Sequence, residues 1–176
     1  MPRLRRSLFA LCLLFCLHAA HAASALWQLP DLFVDEHGTR GPLAHWAGAQ
    51  TVVTMEYSAC KFVCTTNWRR LLEIQAEADR SGKSLRFLVI SLDPAHDSPE
   101  QWRDYRKVRG LARDNWSFVT GSRAATDRVV ALLGVKWWNF NDVIMHDFRV
   151  LRVDAKGEQL ALMTRFDVPA AVFLAP

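Results

Sequence analysis

Two short apolar runs separated by one amphipathic stretch constrain the fold of this chain more than any other feature. The runs Gln50–Tyr57 and Leu85–Leu92 are rich in β-branched and large apolar residues, a pattern typical of buried strands. Between them, residues 63–81 have helical apolar spacing and stop at Gly82, which suits a helix cap. Because two strands joined through a helix usually run parallel, the sequence predicts a strand–helix–strand unit with parallel strands.

The middle of the chain continues this alternation of helices and strands. The expected elements are a helix from Ser98 to about Arg109, a strand over Trp116–Thr120 and a helix from Ser122 to Leu133. The first of these helices begins with a serine N-cap, a proline in the first turn and a glutamine that completes a capping box. The second begins with a serine cap and ends at Gly134.

The last third of the chain changes to the period of β-strands. Residues 148–153 and 159–163 alternate around Asp154–Gly157, whose glycine fits a tight reversal between antiparallel strands. Alternating strands and helices followed by a C-terminal β-hairpin predict an α/β fold of the thioredoxin-like type. Its mixed sheet would be flanked by helices on both faces.

The N-terminal residues 1–22 have the composition of a cleavable secretory signal peptide. Arginines precede an apolar run from Leu8 to Leu17, and small residues follow it. The run is shorter than the roughly 20 residues that a transmembrane helix needs, which favours a cleaved signal over a retained anchor. Cleavage would leave residues 23–176 as a single soluble domain in the periplasm.

The positive charge of the chain is concentrated in that first segment. The whole sequence carries 22 Lys and Arg residues against 18 Asp and Glu residues, a formal net charge of +4. Three of the basic residues and none of the acidic ones lie in residues 1–22, so 19 face 18 in the remainder, a net of +1. Without a basic face, the sequence gives no reason to expect a nucleic-acid partner.

Two cysteines remain after the expected cleavage, and they stand four positions apart. Cys60 and Cys64 lie where the first predicted helix begins, so both can lie on one helix face about a turn apart. The positive end of that helix favours thiolates, which are soft ligands for metals such as Cu(I). A structural disulfide is the alternative, but closing so short a loop would stabilise the fold by only about 2 kcal/mol. We therefore interpret the pair as functional.

A histidine far along the chain is the candidate third ligand. Of His37, His45, His96 and His146, only the last stands immediately before a strand of the predicted C-terminal hairpin. If that strand runs antiparallel to the first strand, His146 reaches the sheet edge at which Cys60 lies. A histidine beside an apolar strand can also be a buried polar group with satisfied hydrogen bonds, so both interpretations remain open at this point.

Several motifs follow one another in a recognisable order. They are Tyr57-Ser58-Ala59-Cys60 with Cys64, Val89-Ile90-Ser91-Leu92-Asp93-Pro94 with Asp97-Ser98-Pro99-Glu100, Thr120-Gly121-Ser122, Leu133-Gly134-Val135, and His146 leading into Val150-Leu151 with Val153-Asp154 and Gly157. In this order they resemble the Sco/SenC family of copper chaperones, over about residues 29–163. The resemblance implies a thioredoxin-like fold and a site in which Cys60, Cys64 and His146 bind copper, as Cu(I) or Cu(II).

The same resemblance implies a function and partners. The chain would be a periplasmic copper-binding chaperone that delivers copper to, or prepares, the dinuclear copper centre of a respiratory terminal oxidase. Its expected partners are the copper-accepting subunit of that membrane oxidase and another periplasmic copper chaperone or a thiol reductant. The cysteine pair would cycle between dithiol and disulfide.

A thiol–disulfide oxidoreductase that reduces partner cysteines is the alternative function. Cys60, nearer the helix start, would then be the attacking thiolate and Cys64 the resolving thiol. Thioredoxin-type reductants, however, typically carry a Cys-x-x-Cys motif and a proline before the facing strand. This chain has no proline between Pro99 and Pro169, and it carries His146 in that region.

The chain also departs from the family's pattern near the candidate site. Lys61 and Thr65 replace the usual prolines after the two cysteines, and Met145 replaces the acidic residue common before the histidine. A positive Lys61 favours thiolates, while Met145 is either a weak thioether ligand or part of the core. Asp93 and Asp97 are expected to shape the neighbouring loop, with a solvated turn as the alternative.

Overall fold

A computed structural model describes residues 25–60, 64–141 and 143–176 of the chain. The predicted signal peptide and Lys61 lie outside these residues, and so do the side chains of Cys64 and Thr65. Within the described ranges, every helix is too short or too polar to span a bilayer.

The centre of the fold is a seven-stranded mixed sheet. The strands of the described residues, in chain order, are β1 (Phe33–Asp35), β2 (Arg40–Gly41), β3 (Gln50–Glu56), β4 (Arg86–Ser91), β5 (Trp116–Thr120), β6 (Trp137–Phe140), β7 (Val143–His146), β8 (Val150–Asp154) and β9 (Gln159–Met163). Of these, β6 and β7 pair only with each other and lie outside the seven-stranded sheet. The sheet has the order β2-β1-β5-β4-β3-β8-β9, with β3, β4 and β5 parallel and β8 antiparallel to β3. The predicted parallel pair and the predicted mixed sheet are confirmed.

In the described part of the chain, helices lie between the strands and after β9. They are the 3-10 helix Leu43–Trp46, α1 (Cys64–Arg80), α2 (Pro99–Arg109), α3 (Arg123–Leu133) and α4 (Ala170–Phe173). The side chain of Ser98 accepts a hydrogen bond from the Gln101 N–H at 3.2 Å, and that of Ser122 accepts one from the Ala125 N–H at 3.1 Å. The predicted N-caps of α2 and α3 are thus confirmed.

Helices cover both faces of the sheet because the central strands bury side chains in both directions. In β4, Leu88 and Ile90 belong to one apolar cluster, which also contains Val129 of α3. Phe87 and Val89 point the other way, into a cluster that includes buried residues of α1, α2 and α4. A strand buried on both faces has a continuous apolar sequence, which is why this run was recognisable.

Two antiparallel hairpins complete the fold. The predicted C-terminal hairpin is confirmed, since β8 pairs with β9 through contacts such as Leu151 with Leu162. A second hairpin, formed by β6 and β7, stands as a separate two-stranded sheet that the sequence patterns did not indicate. All four residues of β6 are exposed, so the strand lacks the alternation that identifies a half-buried strand.

Candidate functional site

The cysteine loop leaves the sheet at the carboxyl end of β3. The backbone N–H of Cys60 donates to the carbonyl of Tyr57 at 3.3 Å and closes a turn just beyond the strand. Cys60 is 5% exposed among apolar side chains, and it is disulfide-bonded. Cys64 is the first residue of α1. Cys60 therefore lies in the connection between β3 and α1, and Cys64 begins the helix at the end of that connection.

His146 approaches the same edge because β8 runs antiparallel to β3. Val150, the first residue of β8, pairs with Thr54, whose hydroxyl donates to the Arg149 carbonyl at 2.8 Å. The residues before β8 therefore lie beside the end of β3. His146 is the last residue of β7, and three residues separate it from β8, so the prediction that it immediately precedes a strand of the C-terminal hairpin was wrong. The hairpin strand begins at Val150 rather than at residue 148.

Tyr57 connects the cysteine loop to the β6–β7 hairpin. Its hydroxyl donates to the Ile144 carbonyl at 2.8 Å, across 87 positions of sequence. Its ring meets the imidazole of His146 edge to face, with centroids 6.3 Å apart and planes at 72°. The residue that accepts the hydrogen bond from Cys60 therefore also packs against His146, which is how the fold joins the two halves of the candidate site.

The imidazole of His146 has a buried nitrogen with a free lone pair. Nδ1 lies 3.0 Å from the Asp147 carbonyl oxygen, which can only accept, so Nδ1 carries the ring proton in the neutral form. Burial lowers the pKa of His146 and thereby favours that neutral form. Within the part of the chain that the structure describes, Nε2 is buried without a hydrogen-bond partner. Such an unsatisfied atom is costly, and its chemistry fits a metal ligand.

Asp97 holds the loop that precedes the first cysteine. One carboxyl oxygen accepts from the Ser58 N–H at 2.9 Å and the other from the Ser91 hydroxyl at 2.5 Å. Burial raises the pKa of Asp97 even though these donors favour its ionised form. Asp93 contacts Nδ1 of the exposed His96 at 2.8 Å. The two aspartates thus differ, because Asp97 is a buried bracing residue and Asp93 lies in a half-exposed turn.

The remaining candidate residues near His146 are more exposed. Met145 is half-buried and pairs with Trp138 across the hairpin, whereas Trp137 pairs with His146 itself. Trp138 is 52% exposed, so this hairpin presents aromatic surface to solvent directly beside the imidazole.

Side chains within the described ranges do not by themselves form a metal cluster. No group of three or more His, Cys, Asp or Glu residues there lies close enough to hold an ion. Those ranges exclude the side chain of Cys64, which the predicted ligand set requires. The ligand set Cys60, Cys64 and His146 therefore stays a prediction.

Sequence reasoning did not identify Glu56, a buried acid at the end of β3. Its side chain is 1% exposed; the Asn67 amide donates to one carboxyl oxygen and the Tyr105 hydroxyl donates to the other at 2.5 Å. Burial raises the pKa of Glu56 to about 7, against the effects of the Tyr105 hydrogen bond and of the Arg109 charge. The available signal was a single acid at the end of a strand that has no other charged residue.

We expect Glu56→Gln to reduce the pH dependence of stability between pH 4.5 and 7. Because burial raises the Glu56 pKa from 4.5 to about 7, the folded state retains a proton that the unfolded state releases. The resulting stabilisation is complete below pH 4.5 and is lost as the pH rises to about 7. The difference is worth about 3 kcal/mol at about 1.4 kcal/mol per pKa unit.

Glutamine does not ionise, so this loss should be absent from denaturant unfolding curves of the variant across that pH range. Glu73→Gln, which removes an exposed carboxylate from α1, is the matched control and should keep the wild-type profile. A Glu56→Gln protein that loses stability as steeply as the wild type would contradict the buried carboxyl as the cause.

We expect Tyr57→Phe to loosen the β6–β7 hairpin. The variant keeps the ring beside His146 but removes the hydrogen bond to the Ile144 carbonyl, at a cost of about 1 kcal/mol. Amide hydrogen exchange should become faster in β6 and β7 while the amides that pair β8 with β9 keep their protection. Equal acceleration in both hairpins would argue against a local role for the hydroxyl.

Comparison with known proteins identifies related sequences over most of the chain. The profile of the SCO1/SenC family matches residues 24–173. The SCO1 protein homolog of Bacillus subtilis (strain 168) is 24% identical over 92 residues, which cover 52% of this chain and 48% of that protein. The aligned segment thus spans about half the length of this relative.

Solved structures share the fold at low sequence identity. Arabidopsis thaliana ScoI with copper bound has a TM-score of 0.71 at 18% identity, over 82% of this chain and 90% of that one. Yeast Sco1 with copper bound has a TM-score of 0.67 at 18% identity, over 81% of each chain. BsSco, described with a disulfide switch as a member of the Sco family of cytochrome c oxidase assembly proteins, has a TM-score of 0.64 at 20% identity, over 74% and 78%.

These structures confirm the thioredoxin-like architecture that the sequence predicted. The family match extends over nearly all of the described residues, from the first helical turn at residue 25 to the end of α4. The chain therefore belongs to the SCO1/SenC family.

Proposed function

We propose that this protein is a periplasmic copper chaperone that delivers copper to, or prepares, the dinuclear copper centre of a respiratory terminal oxidase. Family membership supports the proposal, as do the copper-bound relatives from Arabidopsis and yeast. The description of BsSco as a cytochrome c oxidase assembly protein supports an oxidase subunit as the partner.

The proposed ligands of the copper cargo are Cys60, Cys64 and His146. The observation that carries this assignment is the buried Nε2 of His146, which has no hydrogen-bond partner among the described residues and whose ring packs on the tyrosine that closes the Cys60 turn. Two thiolates and a neutral imidazole form a soft donor set that suits Cu(I), and the imidazole also accommodates Cu(II). Three protein ligands leave the ion accessible to a partner, so copper can pass on by exchange of ligands.

Copper loading requires the cysteines as thiolates. Cys60 is disulfide-bonded in the structure, and we assign Cys64 as its partner because it is the other cysteine of the mature domain. A thiol reductant would open this bond before copper binds. The start of α1 then favours the thiolate form of both cysteines.

The periplasmic location rests on residues 1–22 being removed as a signal peptide, which leaves residues 23–176 as the working domain. N-terminal sequencing of the protein recovered from an exporting bacterium should begin at Ala23. Recovery of the chain in the membrane fraction with residue 1 still present would instead indicate a retained anchor.

Reduction of partner cysteines is the second candidate function, favoured by the disulfide at Cys60. In that reaction the Cys60 thiolate attacks a partner disulfide, and Cys64 then resolves the mixed disulfide. The two functions are compatible as consecutive steps, since a target must be reduced before it can bind copper. They differ in their need for His146, which thiol exchange does not use.

Copper stoichiometry of the reduced protein tests the proposal. We expect one Cu(I) per wild-type chain, measured by competition with a Cu(I) chelator after anaerobic reduction. Cys60→Ala, Cys64→Ala and His146→Ala should each weaken binding by about tenfold or more, because loss of a supporting group around a metal ligand already costs about 10–100-fold. His96→Ala removes an exposed histidine and should bind as the wild type does.

The outcomes separate the two functions. Unchanged copper affinity in His146→Ala would overturn the ligand assignment. Reduction of a disulfide-bonded oxidase peptide that persists in His146→Ala, together with no copper binding by the wild type, would favour the oxidoreductase.

A further inference from the structure

Glu56 is a buried acid that the proposed copper site does not use. Its carboxyl group is held by neutral donors, the Asn67 amide from α1 and the Tyr105 hydroxyl from α2. Within the described residues, no cation forms an ion pair with it. The side-chain oxygen Oδ1 of Asn67 is buried and has no hydrogen-bond partner among the described residues. The cluster thus contains a carboxyl group whose charge is not compensated by a direct contact.

This carboxyl group is linked to both ends of the cysteine loop. On one side, Tyr57 follows Glu56 directly and accepts the hydrogen bond from the Cys60 N–H. On the other side, Asn67 stands three residues after Cys64 in α1, a rise of about 4.5 Å along the helix. A change in the charge of Glu56 therefore acts on the end of β3, which precedes Cys60, and on the first turn of α1, which begins at Cys64.

The charges that neighbour Glu56 do not outweigh its burial, so its carboxyl group can gain or lose a proton near neutral pH. From α2, the Arg109 guanidinium lies over the Tyr105 ring at 4.0 Å, and its charge favours ionisation of Glu56. From α1, Asn67 is a neutral donor. Asp97 is the next buried carboxyl, and its charge acts on Tyr105. Burial outweighs these contacts and raises the pKa of Glu56 to about 7.

We propose that Glu56 is a positioning residue that couples the thiol–disulfide state of Cys60 and Cys64 to uptake of a proton by its own carboxyl group. The inference rests on the proposed function, in which these two cysteines form the redox pair. It adds a residue that touches neither copper nor partner.

The reduction of the cysteine pair proceeds by exchange with a dithiol reductant. The sulfur–sulfur bond of the pair breaks, one forms in the reductant, and two electrons pass to the pair with the two protons that the reductant releases. When one of the resulting thiols releases its proton to solvent, the negative charge of the thiolate opposes the charge on Glu56. The carboxylate then takes up a proton from solvent. When the disulfide form of the reductant reoxidises the pair, two electrons return to the reductant as its two thiols re-form, the thiolate is lost, and Glu56 releases its proton to solvent.

The test is the equilibrium between disulfide and dithiol at two pH values on either side of about 7, the pKa of Glu56. The purified mature protein is equilibrated in dithiothreitol redox buffers at about pH 6 and pH 8, and its thiols are alkylated and counted by mass spectrometry. At pH 6 Glu56 is protonated, so Glu56→Gln and the wild type should agree. At pH 8 the variant should be about three- to tenfold more reducible, because it lacks the opposing carboxylate.

Two variants make this result specific. Glu73→Gln removes an exposed carboxylate from α1, the helix that supplies Asn67, and should follow the wild type at both pH values. Tyr105→Phe removes the hydrogen bond that stabilises the ionised carboxyl, so the pH at which the wild-type equilibrium bends should move upward. This variant also decides the question if Glu56→Gln fails to fold.

The contrary outcomes are distinct. A Glu56→Gln protein displaced by the same factor at pH 6 and pH 8 would show a structural effect alone and overturn the coupling. If the redox equilibrium of Tyr105→Phe bends at the same pH as that of the wild type, the coupling is likewise overturned. A wild-type pair that stays oxidised in every buffer would overturn the redox pair and, with it, this inference, whereas a pair that cycles with parallel curves overturns the role of Glu56 alone.

Discussion

The geometry of the candidate site depends on Tyr57, which uses three different groups to join three segments. Its backbone carbonyl accepts from Cys60, its hydroxyl donates to Ile144, and its ring packs against His146. Because Tyr57 directly follows β3, the register of the central sheet fixes where all three contacts form. Positioning of the cysteine loop and of the imidazole is therefore a consequence of sheet pairing rather than of the loops themselves.

Burial is the main cause of the pKa shifts of Glu56, Asp97 and His146. Buried acids of this protein differ in whether they form an ion pair. Glu36 is as buried as Glu56, yet Glu36 pairs with the guanidinium of Arg106 and also accepts from the Phe118 N–H. Such a pair offsets the cost of burying the carboxylate and belongs to the framework. Glu56 has neutral donors instead, so its charge depends on the pH and on neighbouring charges. The difference identifies Glu56 as the acid suited to a responsive role.

Local patterns predicted the framework, while tertiary contacts decided the parts that they missed. The β4 run was recognisable because it is buried on both faces, and α2 because Ser98 caps it. The β6 strand has no buried face, so it lacks the alternation of apolar and polar residues by which a strand is recognised in a sequence. Asn141, which follows β6, has a φ of 49°. The burial of Glu56 could not be read locally either, because its donors come from two other elements. The condition on which His146 was expected to reach this edge, an antiparallel β8 beside β3, is met, whereas His146 does not stand immediately before that strand.

The site lies where the sheet changes from parallel to antiparallel pairing, and this change explains why remote residues meet there. A parallel neighbour brings another strand's end to the edge; thus β4 supplies the loop in which Asp97 braces Ser58. An antiparallel neighbour brings a strand's beginning, and the hairpin that precedes β8 therefore carries His146 to the end of β3. Neither arrangement alone would combine an ordered cysteine loop with a residue from so far along the chain. Their combination around β3 lets one rigid strand set the position of the cysteine turn, its bracing carboxyl and an imidazole whose Nε2 has no hydrogen-bond partner among the described residues.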